Sequence, residues 1–274
     1  KSVAPNAICH SCEPFTQDPA NRSKGYGVRW MGNEAANMPL PSWAANDGPE
    51  FPEGNATGAW FNPPSCDAVL REHDWFYRAG TEGEVKSAKA LVNNYLTSVG
   101  RAANLILNVA PDATGAVPGV DAARYAEFGS AVACLFDRSR RLGATAAPMA
   151  MDSASGAMEP AWEFPPVASG NLSLVVREDQ TAGQLIGDYD LECSGGGDGA
   201  WEPCVLAALP GVIPATPNAG VGHKRVLLLG PLASGQPIAG LRMIVSSHYA
   251  TGAQIPTLRD MALYDWSGDA EECV

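Results

Sequence analysis

Several features that would point to particular protein classes are missing from this sequence. No apolar run approaches the roughly 20 residues that a membrane-spanning helix needs. Glycine and proline are abundant, at 29 and 22 of 274 residues, but they follow no period, which excludes a collagen-like repeat. Charged residues make up 18% and apolar residues 46%, a balance that excludes a disordered chain. The sequence therefore predicts a folded, loop-rich protein long enough for two modest domains.

Positive charge is also scarce. The chain has 18 Lys and Arg against 30 Asp and Glu, which gives a formal net charge of −12 and a pI near 4.7. A surface this acidic repels phosphate backbones and anionic lipid headgroups. We therefore expect no nucleic-acid partner and no binding to an anionic membrane face, while the lack of a long apolar run predicts no membrane span.

The seven cysteines do not complete a zinc site. Cys9 and Cys12 have zinc-like spacing, but no second C-x-x-C or H-x-x-H pair follows to supply the other ligands. Disulfides are the expected state, and Cys193 and Cys204 flank a Gly-rich turn that a disulfide would close. Because the count is odd, one thiol is expected to be free or paired with another chain.

Three glycosylation sequons accompany these cysteines. They begin at Asn21, Asn55 and Asn171. Chance alone supplies one or two such triplets, so the sequons are evidence for a cellular location only in combination with the expected disulfides. Together the two features predict a secreted, extracellular or lumenal location.

The first 145 residues alternate between strand and helix patterns. Residues 84–100 have apolar side chains at helical spacing, with Gly100 at the position of a C-cap glycine. Residues 103–109 are nearly all apolar, which is typical of a parallel strand buried on both faces. A second helix is expected over 120–140. Helix, strand and helix in this order indicate an α/β architecture.

The pattern changes after residue 145. Residues 146–166 lack periodicity and predict a linker. Beyond it, short apolar runs recur between Gly, Pro and Asn turns, at residues 172–177, 184–189, 201–205, 224–229 and 240–245. Such spacing indicates an antiparallel β-sandwich over 167–274. The predicted fold class is therefore α/β followed by all-β.

Several segments together resemble one known family. The segments are 28–34 (Val-Arg-Trp-Met-Gly-Asn-Glu), 59–67 (Ala-Trp-Phe-Asn-Pro-Pro-Ser-Cys-Asp), 75–77 (Trp-Phe-Tyr), 95–101 (Tyr-Leu-Thr-Ser-Val-Gly-Arg), 108–112 (Asn-Val-Ala-Pro-Asp), 220–225 (Gly-Val-Gly-His-Lys-Arg) and 263–264 (Leu-Tyr). In this order they resemble the later half of retaining α-L-fucosidases. The resemblance implies that residues 1–145 form the closing part of a catalytic (β/α)8 TIM barrel. It also implies that residues 167–274 form a discoidin-like β-sandwich.

The same resemblance implies a role for Glu34. In one branch of the family the motif at 28–34 carries the general acid/base. A retaining glycosidase needs two carboxyl groups roughly 5 to 5.5 Å apart, a proton donor and a nucleophile. Apolar neighbours such as Trp30 and Met31 are expected to raise the pKa of Glu34 toward neutrality. The alternative interpretation is an exposed loop glutamate without a catalytic role.

Aromatic and polar residues near these motifs are candidates for binding the sugar. Fucose has a methyl group and an apolar face that pack on indole rings, and hydroxyls that need fixed polar partners. The aromatic candidates are Trp30, Trp60 and Trp75, and the polar ones are Asp67, Arg71 and His73. Core packing for the tryptophans, and a structural salt link for Asp67 or Arg71, are the alternatives. The resemblance implies no metal and no organic cofactor.

Two departures from the family pattern shape the functional hypothesis. The family's aspartate nucleophile lies on an earlier strand, and a closed barrel takes about 250 residues. We therefore expect an N-terminal half, present as another chain or as a further or proteolytically separated segment of the same enzyme, without which this chain is inactive. Ser65 stands where family members often have a glutamate.

The predicted function is an exo-acting α-L-fucosidase that removes α1,3- or α1,4-linked fucose from glycans. The alternative is a non-catalytic glycoprotein that serves in glycan binding or assembly.

Overall fold

The computed structural model describes residues 9–10, 27–47, 53–72, 74–142, 161–167, 171–195, 200–207, 220–249, 254–266 and 273. Across these ranges no helix is both long and apolar enough to cross a membrane. The first half contains β1 (Cys9–His10), β2 (Gly27–Trp30), β3 (Ala45–Asn46), β4 (Trp60–Phe61), β5 (Pro64–Ala68), α1 (Ala88–Ser98), β6 (Asn104–Leu107), α2 (Gly119–Leu135) and β7 (Arg141–Leu142). Short 3₁₀ turns cover Glu82–Glu84 and Arg138–Arg140.

Four of these strands form a parallel sheet in the order β1-β2-β5-β6. The short strands β3 and β4 pair separately and antiparallel to each other. Helix α1 contacts β5, β6 and α2, so the helices lie on one face of the parallel sheet. The predicted α/β order of strand, helix, parallel strand and helix is confirmed.

Helix α1 is shorter than its apolar pattern predicts. It begins after Ser87, whose Oγ accepts a hydrogen bond from the backbone N of Ala90 at 3.2 Å. Gly100 follows the helix as predicted but does not adopt the left-handed conformation. A side chain there would place its Cβ 2.4 Å from the carbonyl oxygen of Leu96, so the position needs glycine for close approach.

The burial predicted for β6 is wrong. The strand is parallel to β5, as expected, but Ile106 is 44% exposed and Val109, just beyond the strand, is 48% exposed. The reason is topological, because β6 is the outermost strand of the described sheet and only its helix-facing side is covered. Helix α2 confirms the second predicted helix, although it ends at Leu135.

The second half consists of two antiparallel sheets. Its strands are β8 (Ala161–Val167), β9 (Leu172–Glu178), β10 (Tyr189–Ser194), β11 (Glu202–Pro203), β12 (Arg225–Leu229), β13 (Ile238–Val245) and β14 (Leu258–Asp265). One sheet has the order β11-β10-β13-β8 and the other β12-β9-β14-β7. The strands predicted near β9, β11, β12 and β13 are confirmed. The strand predicted over 184–189 is wrong, because before Tyr189 only Ile186 pairs, through a single bridge to His248.

The linker prediction also needs correction at its C-terminal end. Residues Ala161–Val167 form β8, which pairs with β13. This strand contains Pro165 and Pro166, which lack a backbone N–H and therefore argue against a central strand. They are tolerated because β8 lies at the sheet edge and its register with β13 shifts at this point. Residues 143–160 lie outside the described part of the chain.

The two antiparallel sheets share one hydrophobic core. Its buried members come from six strands and their loops: Trp162, Phe164, Val167, Leu172, Leu174, Val176, Ile186, Tyr189, Leu191, Cys193, Val221, Leu227, Leu229, Leu232, Ile238, Leu241, Met243, Val245, Met261 and Leu263. Burying such side chains contributes roughly 1.5–3 kcal/mol each before the entropic cost of ordering the chain. This core therefore holds the two sheets face to face.

A second cluster joins the two halves of the chain. Helices α1 and α2 pack on the outer face of the sheet that contains β9, β12 and β14, through Val92, Leu96, Ala131, Leu135, Val175, Val226, Leu228, Ala262, Tyr264, Trp266 and Cys273. Strands β9 and β12 are consequently buried on both faces. Gln184 adds a polar link, since its Nε2 donates to Ser42 O at 2.7 Å and its Oε1 accepts from Ala44 N at 2.9 Å.

Two disulfides lie in the described residues. Cys193 and Cys204 are bonded, with an S–S distance of 2.02 Å, which confirms the predicted closure of the Gly-rich turn. A second bond links Cys134 of α2 to Cys273 near the C-terminus. Cys66 is a buried free thiol, and burial raises its pKa to about 12, so it stays protonated. The side chains of Cys9 and Cys12 lie outside the described residues.

Candidate functional site

The parallel sheet has one face covered by helices and one face that is open. Paired residues on neighbouring parallel strands point to the same side, so Trp30, Ser65 and Asn104 share a face with Asp67 and Ile106. On this face Trp30 is 41% and Ile106 44% exposed. The opposite face carries the small cluster of Met31, Ala36, Met38, Cys66, Ala68 and Ala103. The sheet therefore presents mainly polar and aromatic side chains on its open side.

Glu34 lies in the loop that follows β2, at the carboxyl-terminal edge of the sheet. The side chain of Asn33 shapes this loop, because its Oδ1 accepts from Ala35 N at 3.2 Å and its Nδ2 donates to Asn37 O at 3.1 Å. The backbone N of Ala36 then donates to Asp67 O of β5 at 2.9 Å. Because Met31 N also donates to Ser65 O at 3.0 Å, residues on both sides of Glu34 are fixed to the sheet.

Helix α1 holds the same loop from its other side. Thr97 Oγ1 donates to Ala36 O at 2.8 Å, and Met38 N donates to Thr97 O at 2.8 Å. Arg101 Nη1 donates to Met38 O at 2.7 Å and to Asn37 Oδ1 at 3.0 Å. Burial lowers the pKa of Arg101 to about 10, and it remains charged at neutral pH. The exposed carboxylate of Glu34 therefore projects from a rigid support.

Two carboxylates at this edge each accept a hydrogen bond from an indole. Trp75 Nε1 donates to Glu34 Oε2 at 2.9 Å. Trp30 Nε1 donates to Asp67 Oδ1 at 2.6 Å. Since an indole nitrogen can only donate, both contacts orient the carboxylate oxygens without competing for their protons. The structure thus brings four of the residues predicted for the site to one edge of the sheet.

The loop that carries Trp75 is anchored by Arg71. Arg71 is 2% exposed and forms a bidentate ion pair with Asp121 of α2, with Nη2 to Oδ1 at 2.7 Å and Nε to Oδ2 at 3.3 Å. Its Nη1 also donates to Thr81 Oγ1 at 2.8 Å, on the far side of the same loop. The prediction that Arg71 binds substrate is therefore corrected to the structural alternative. A buried guanidinium whose bonds are used in this way anchors the loop base.

Asn108 fixes the backbone of Trp75. Its Nδ2 donates to Trp75 O at 3.0 Å, and its own backbone N donates to Ala68 O of β5 at 3.0 Å. The hydroxyl of Tyr125 in α2 donates to Asn108 O. Asn108 was not among the predicted site residues, although it opens the motif at 108–112. The sequence did offer a signal for it. Asn108 directly follows a strand of the sheet, and the ends of the neighbouring strands carry other candidate site residues.

Trp60 is the aromatic candidate that the structure does not bring to this edge. It belongs to β4, which pairs with β3 and precedes β5 at the amino-terminal edge of the parallel sheet. The adjacent Asn62 bonds to Gly27 O at the start of β2, which marks the same edge. Its assignment to the sugar site is corrected accordingly. His73 lies outside the described residues.

Arg29 and Ser65 support the strands beneath the site. Arg29 is 8% exposed, and its Nη2 donates to Trp43 O at 2.6 Å while its Nη1 donates to Asn62 O. Burial lowers the pKa of Arg29 to about 10. Ser65 is fully buried, and its Oγ donates to Arg29 O at 3.2 Å. The serine at this position therefore closes a contact between β2 and β5.

Two of the three sequon asparagines can be located. Asn55 is half-buried, and its Nδ2 donates to Asp47 Oδ2 at 2.6 Å while Thr57 Oγ1 donates to its Oδ1 at 3.1 Å. Asn171 is half-buried and accepts from Trp266 N through its carbonyl oxygen. Asn21 lies outside the described residues. Within the described part of the chain, no group of three or more His, Cys, Asp or Glu side chains could hold a metal ion.

Comparison with known proteins supports the resemblance drawn from the motifs. The sequence profile of the family described as Alpha-L-fucosidase matches residues 51–133. Alpha-L-fucosidase 1 of Arabidopsis thaliana is 27% identical over 237 residues, which cover 74% of this chain and 44% of that protein. The chain thus spans less than half the length of this relative.

Solved structures share the fold. A Ruminococcus gnavus fucosidase of glycoside hydrolase family 29, solved in complex with fucose, matches 88% of this chain and 51% of its own, with a TM-score of 0.67 and 19% identity. A family 29 member from an unknown rumen bacterium matches 90% of this chain and 42% of its own, with a TM-score of 0.68 and 22% identity. The fold is therefore that of a glycoside hydrolase family 29 protein. The chain is thus similar to α-L-fucosidases in sequence, most clearly over residues 51–133, and in fold.

Proposed function

We propose that this chain is the later part of a retaining α-L-fucosidase in which Glu34 is the general acid/base. One observation carries the proposal. The exposed Glu34 carboxylate lies at the carboxyl-terminal edge of a parallel sheet and accepts a hydrogen bond from Trp75 Nε1 at 2.9 Å. Catalytic groups of (β/α)8 barrels stand at this edge, and proton donors must be held at a defined position.

The proposed architecture follows from the comparison with the solved fucosidase structures. Strands β2, β5 and β6 with helices α1 and α2 are part of a (β/α)8 barrel, and the two antiparallel sheets are a discoidin-like β-sandwich. The open face of the parallel sheet supports this interpretation. Trp30 and Ile106 are exposed in this chain, and the further strands of a complete barrel would cover them. The edge of β6, with the exposed Val109 just beyond it, offers the same kind of uncovered apolar surface.

The proposed reaction has two steps. A carboxylate from polypeptide outside these residues attacks the anomeric carbon of fucose, the bond to the leaving oxygen breaks, and Glu34 gives its proton to that oxygen. Glu34, now ionised, then takes a proton from water as the water oxygen attacks the same carbon and releases the carboxylate. Both steps need Glu34 and the second carboxylate to be present together. The chain is therefore inactive by itself and active only with its N-terminal half.

Trp30, Trp75 and Asp67 are the proposed contacts to the sugar. Trp75 contacts Glu34, while Trp30 and Asp67 contact each other at the same edge, and the two indoles offer apolar surface for the methyl group and apolar face of fucose. The motif that contains Glu34 favours the branch of the family that removes α1,3- or α1,4-linked fucose. The substrate is accordingly a terminal fucose on a branched glycan.

The disulfides and sequons support a secreted or lumenal protein. The bonds Cys134–Cys273 and Cys193–Cys204 are stable in oxidising compartments. Glycans at Asn21, Asn55 and Asn171 fit the same compartment.

The decisive experiment is the Glu34→Gln substitution in the full-length polypeptide that contains this chain. We expect fucose release from an α1,3- or α1,4-fucosylated oligosaccharide to fall by about 10²–10⁴-fold, because general acid/base catalysis contributes that much. Glu127→Gln, on the exposed side of α2 and in an ion pair with Arg124, is the matched control and should leave the rate unchanged. Equal rates for wild type and Glu34→Gln would refute the assignment.

A second function is favoured by Ser65. This position faces the open side of β5 but carries a buried hydroxyl bonded to Arg29 O, where many family members have a carboxylate. A chain without that carboxylate could bind fucosylated glycans without cleaving them. Fucose binding by the full-length polypeptide with no release of fucose from any linkage would favour this function over catalysis.

A further inference from the structure

The contact of Trp75 with Glu34 depends on where the Trp75 backbone is held. Trp75 lies in a long loop between β5 and α1, and its neighbour Phe76 is 84% exposed, so the solvent side of the loop gives no support. On the protein side, Asn108 Nδ2 donates to Trp75 O at 3.0 Å.

Asn108 itself is held from two directions. Its backbone N donates to Ala68 O, which ties it to the end of β5. Its carbonyl oxygen accepts from the Tyr125 hydroxyl of α2. Burial raises the pKa of Tyr125 to about 12, so the hydroxyl keeps its proton at neutral pH. The position of the Asn108 amide is therefore set by the sheet and by a helix together.

We infer that Asn108 is a positioning residue for Glu34 and acts through Trp75. The chain of contacts runs from the Asn108 amide to the Trp75 carbonyl, and from the Trp75 indole to the Glu34 carboxylate. The inference rests on the proposed function for its catalytic consequence, but the contacts themselves do not depend on it. It assigns a role to the first residue of the motif at 108–112.

The chemistry explains why an asparagine fits this position. A carbonyl oxygen can only accept, so its partner must donate, and the short amide of asparagine supplies a donor in a fixed plane. An aspartate of the same shape would direct a carboxylate oxygen at the Trp75 carbonyl, and two acceptors repel each other. Serine would retain a donor but with a shorter reach. Comparing asparagine, aspartate and serine at position 108 therefore separates the effect of the hydrogen-bond donor from the effect of side-chain shape.

Displacement of Trp75 should affect proton donation more than sugar binding. A general acid must lie within about 2.6–3.2 Å of the atom that it protonates, and a misplacement of about 1 Å can reduce the rate about 10²-fold. A poor leaving group, such as a sugar hydroxyl, needs this proton in the transition state. A dinitrophenolate leaving group does not, because it departs as a stable anion.

The kinetic test compares these two leaving groups in the full-length polypeptide. We expect Asn108→Asp to lower kcat/KM, which reports on the first step, about 10- to 100-fold with a fucosylated oligosaccharide and less than about 3-fold with 2,4-dinitrophenyl fucoside. Asn108→Ser should show the same selectivity with a smaller loss, and Glu127→Gln should show neither. An equal loss with both substrates would mean that Asn108 is merely structural and would overturn the inference.

A spectroscopic test decides the point without turnover. With ¹⁵N-labelled tryptophan in the full-length polypeptide, the indole resonance of Trp75 is identified by its loss in Trp75→Phe. Glu34→Gln should shift this resonance, and Asn108→Asp and Asn108→Ser should shift it as well. An unchanged Trp75 resonance in folded Asn108 variants would refute the inference. If wild type releases no fucose but the shifts occur, the positioning stands and only the proposed catalytic function fails.

Discussion

The two halves of this chain are held together by different kinds of interaction. The antiparallel half has a large apolar core between its two sheets, and strands β9 and β12 are buried on both faces. The parallel half has only a small apolar cluster beneath its sheet. Its buried groups also include three guanidiniums, those of Arg29, Arg71 and Arg101, each bonded to loop atoms.

This difference shows how a site can be fixed where apolar burial is limited. Apolar packing is not directional, whereas each hydrogen bond of a guanidinium defines a distance and an angle. Arg101 holds the loop that carries Glu34, and Arg71 holds the loop that carries Trp75. The parallel half thus uses directed polar contacts to orient its carboxylates. The antiparallel half contributes the bulk of the apolar stabilisation.

The largest effect on stability is expected from breaking a polar anchor. Arg71→Met leaves the Asp121 carboxylate buried and without its cation, and we expect the free energy of unfolding to fall by about 3–5 kcal/mol. Chemical denaturation followed by circular dichroism measures this loss. Arg78→Met is the matched control, because Arg78 is 60% exposed in its ion pairs with Asp74 and Glu84. An exposed pair contributes at most about 1 kcal/mol.

Similar values for the two arginine variants would contradict this interpretation. They would mean that the buried ion pair contributes no more than a surface pair, and that the loop base is held by other contacts. The contrast between the halves would then rest on packing alone.

A second prediction compares two apolar strand residues. Leu227→Ala in β12 removes a side chain that is 2% exposed and should lower the free energy of unfolding by about 2–5 kcal/mol. Ile106→Ala in β6 removes one that is 44% exposed and should cost about 1 kcal/mol or less in this chain. Thermal or chemical denaturation gives both values. In the full-length polypeptide, the loss of unfolding free energy caused by Ile106→Ala could approach that caused by Leu227→Ala. Such a result would indicate that further strands cover β6.

A third prediction concerns the pH dependence of the antiparallel half. Glu178 is 2% exposed and accepts hydrogen bonds from the backbone N of Leu185, Ile186 and Gly222. Burial raises its pKa to about 7, with Asp179 adding to the effect and the three hydrogen bonds opposing it. An acid with a raised pKa binds its proton more tightly in the folded state, so folding is favoured at low pH.

The contribution of Glu178 is therefore fully present below about pH 4.5 and is lost as the pH rises through about 7. A shift of this size corresponds to a loss of up to about 3 kcal/mol. Denaturation at a series of pH values should show this slope in wild type and a flatter profile in Glu178→Gln. If the slope is identical in both proteins, the raised pKa is not the cause.

The sequence predicted most of the elements that depend on local pattern. Helices α1 and α2 and strands β9, β12 and β13 were visible as apolar periodicity, and the Cys193–Cys204 pair as spacing around a turn. Strand β8 was missed because its prolines argue against a strand unless its edge position is known. The burial of β6 was wrong because an apolar run does not reveal what covers it.

The site was predictable to a similar degree. Glu34, Trp30, Asp67 and Trp75 meet at one edge, as the motifs suggested, because strand ends of a parallel sheet converge. Arg71 could not be assigned correctly, since its partner Asp121 is 50 residues away and only the packing of α2 brings the two together. Asn108 was missed because its partner is the backbone carbonyl of Trp75, and a backbone contact cannot be read from the pattern of side chains in the sequence.

Helices α1 and α2 have one further consequence. Helix α1 contacts the parallel sheet, both helices cover the outer surface of β9, β12 and β14, and the Cys134–Cys273 bond fastens α2 to the segment beyond β14. Cutting between the halves would leave Val175, Val226 and Leu228 in contact with water. For evolution or for protein engineering, the C-terminal half is therefore not an exchangeable cassette, and it must be inherited together with the helices that it shares.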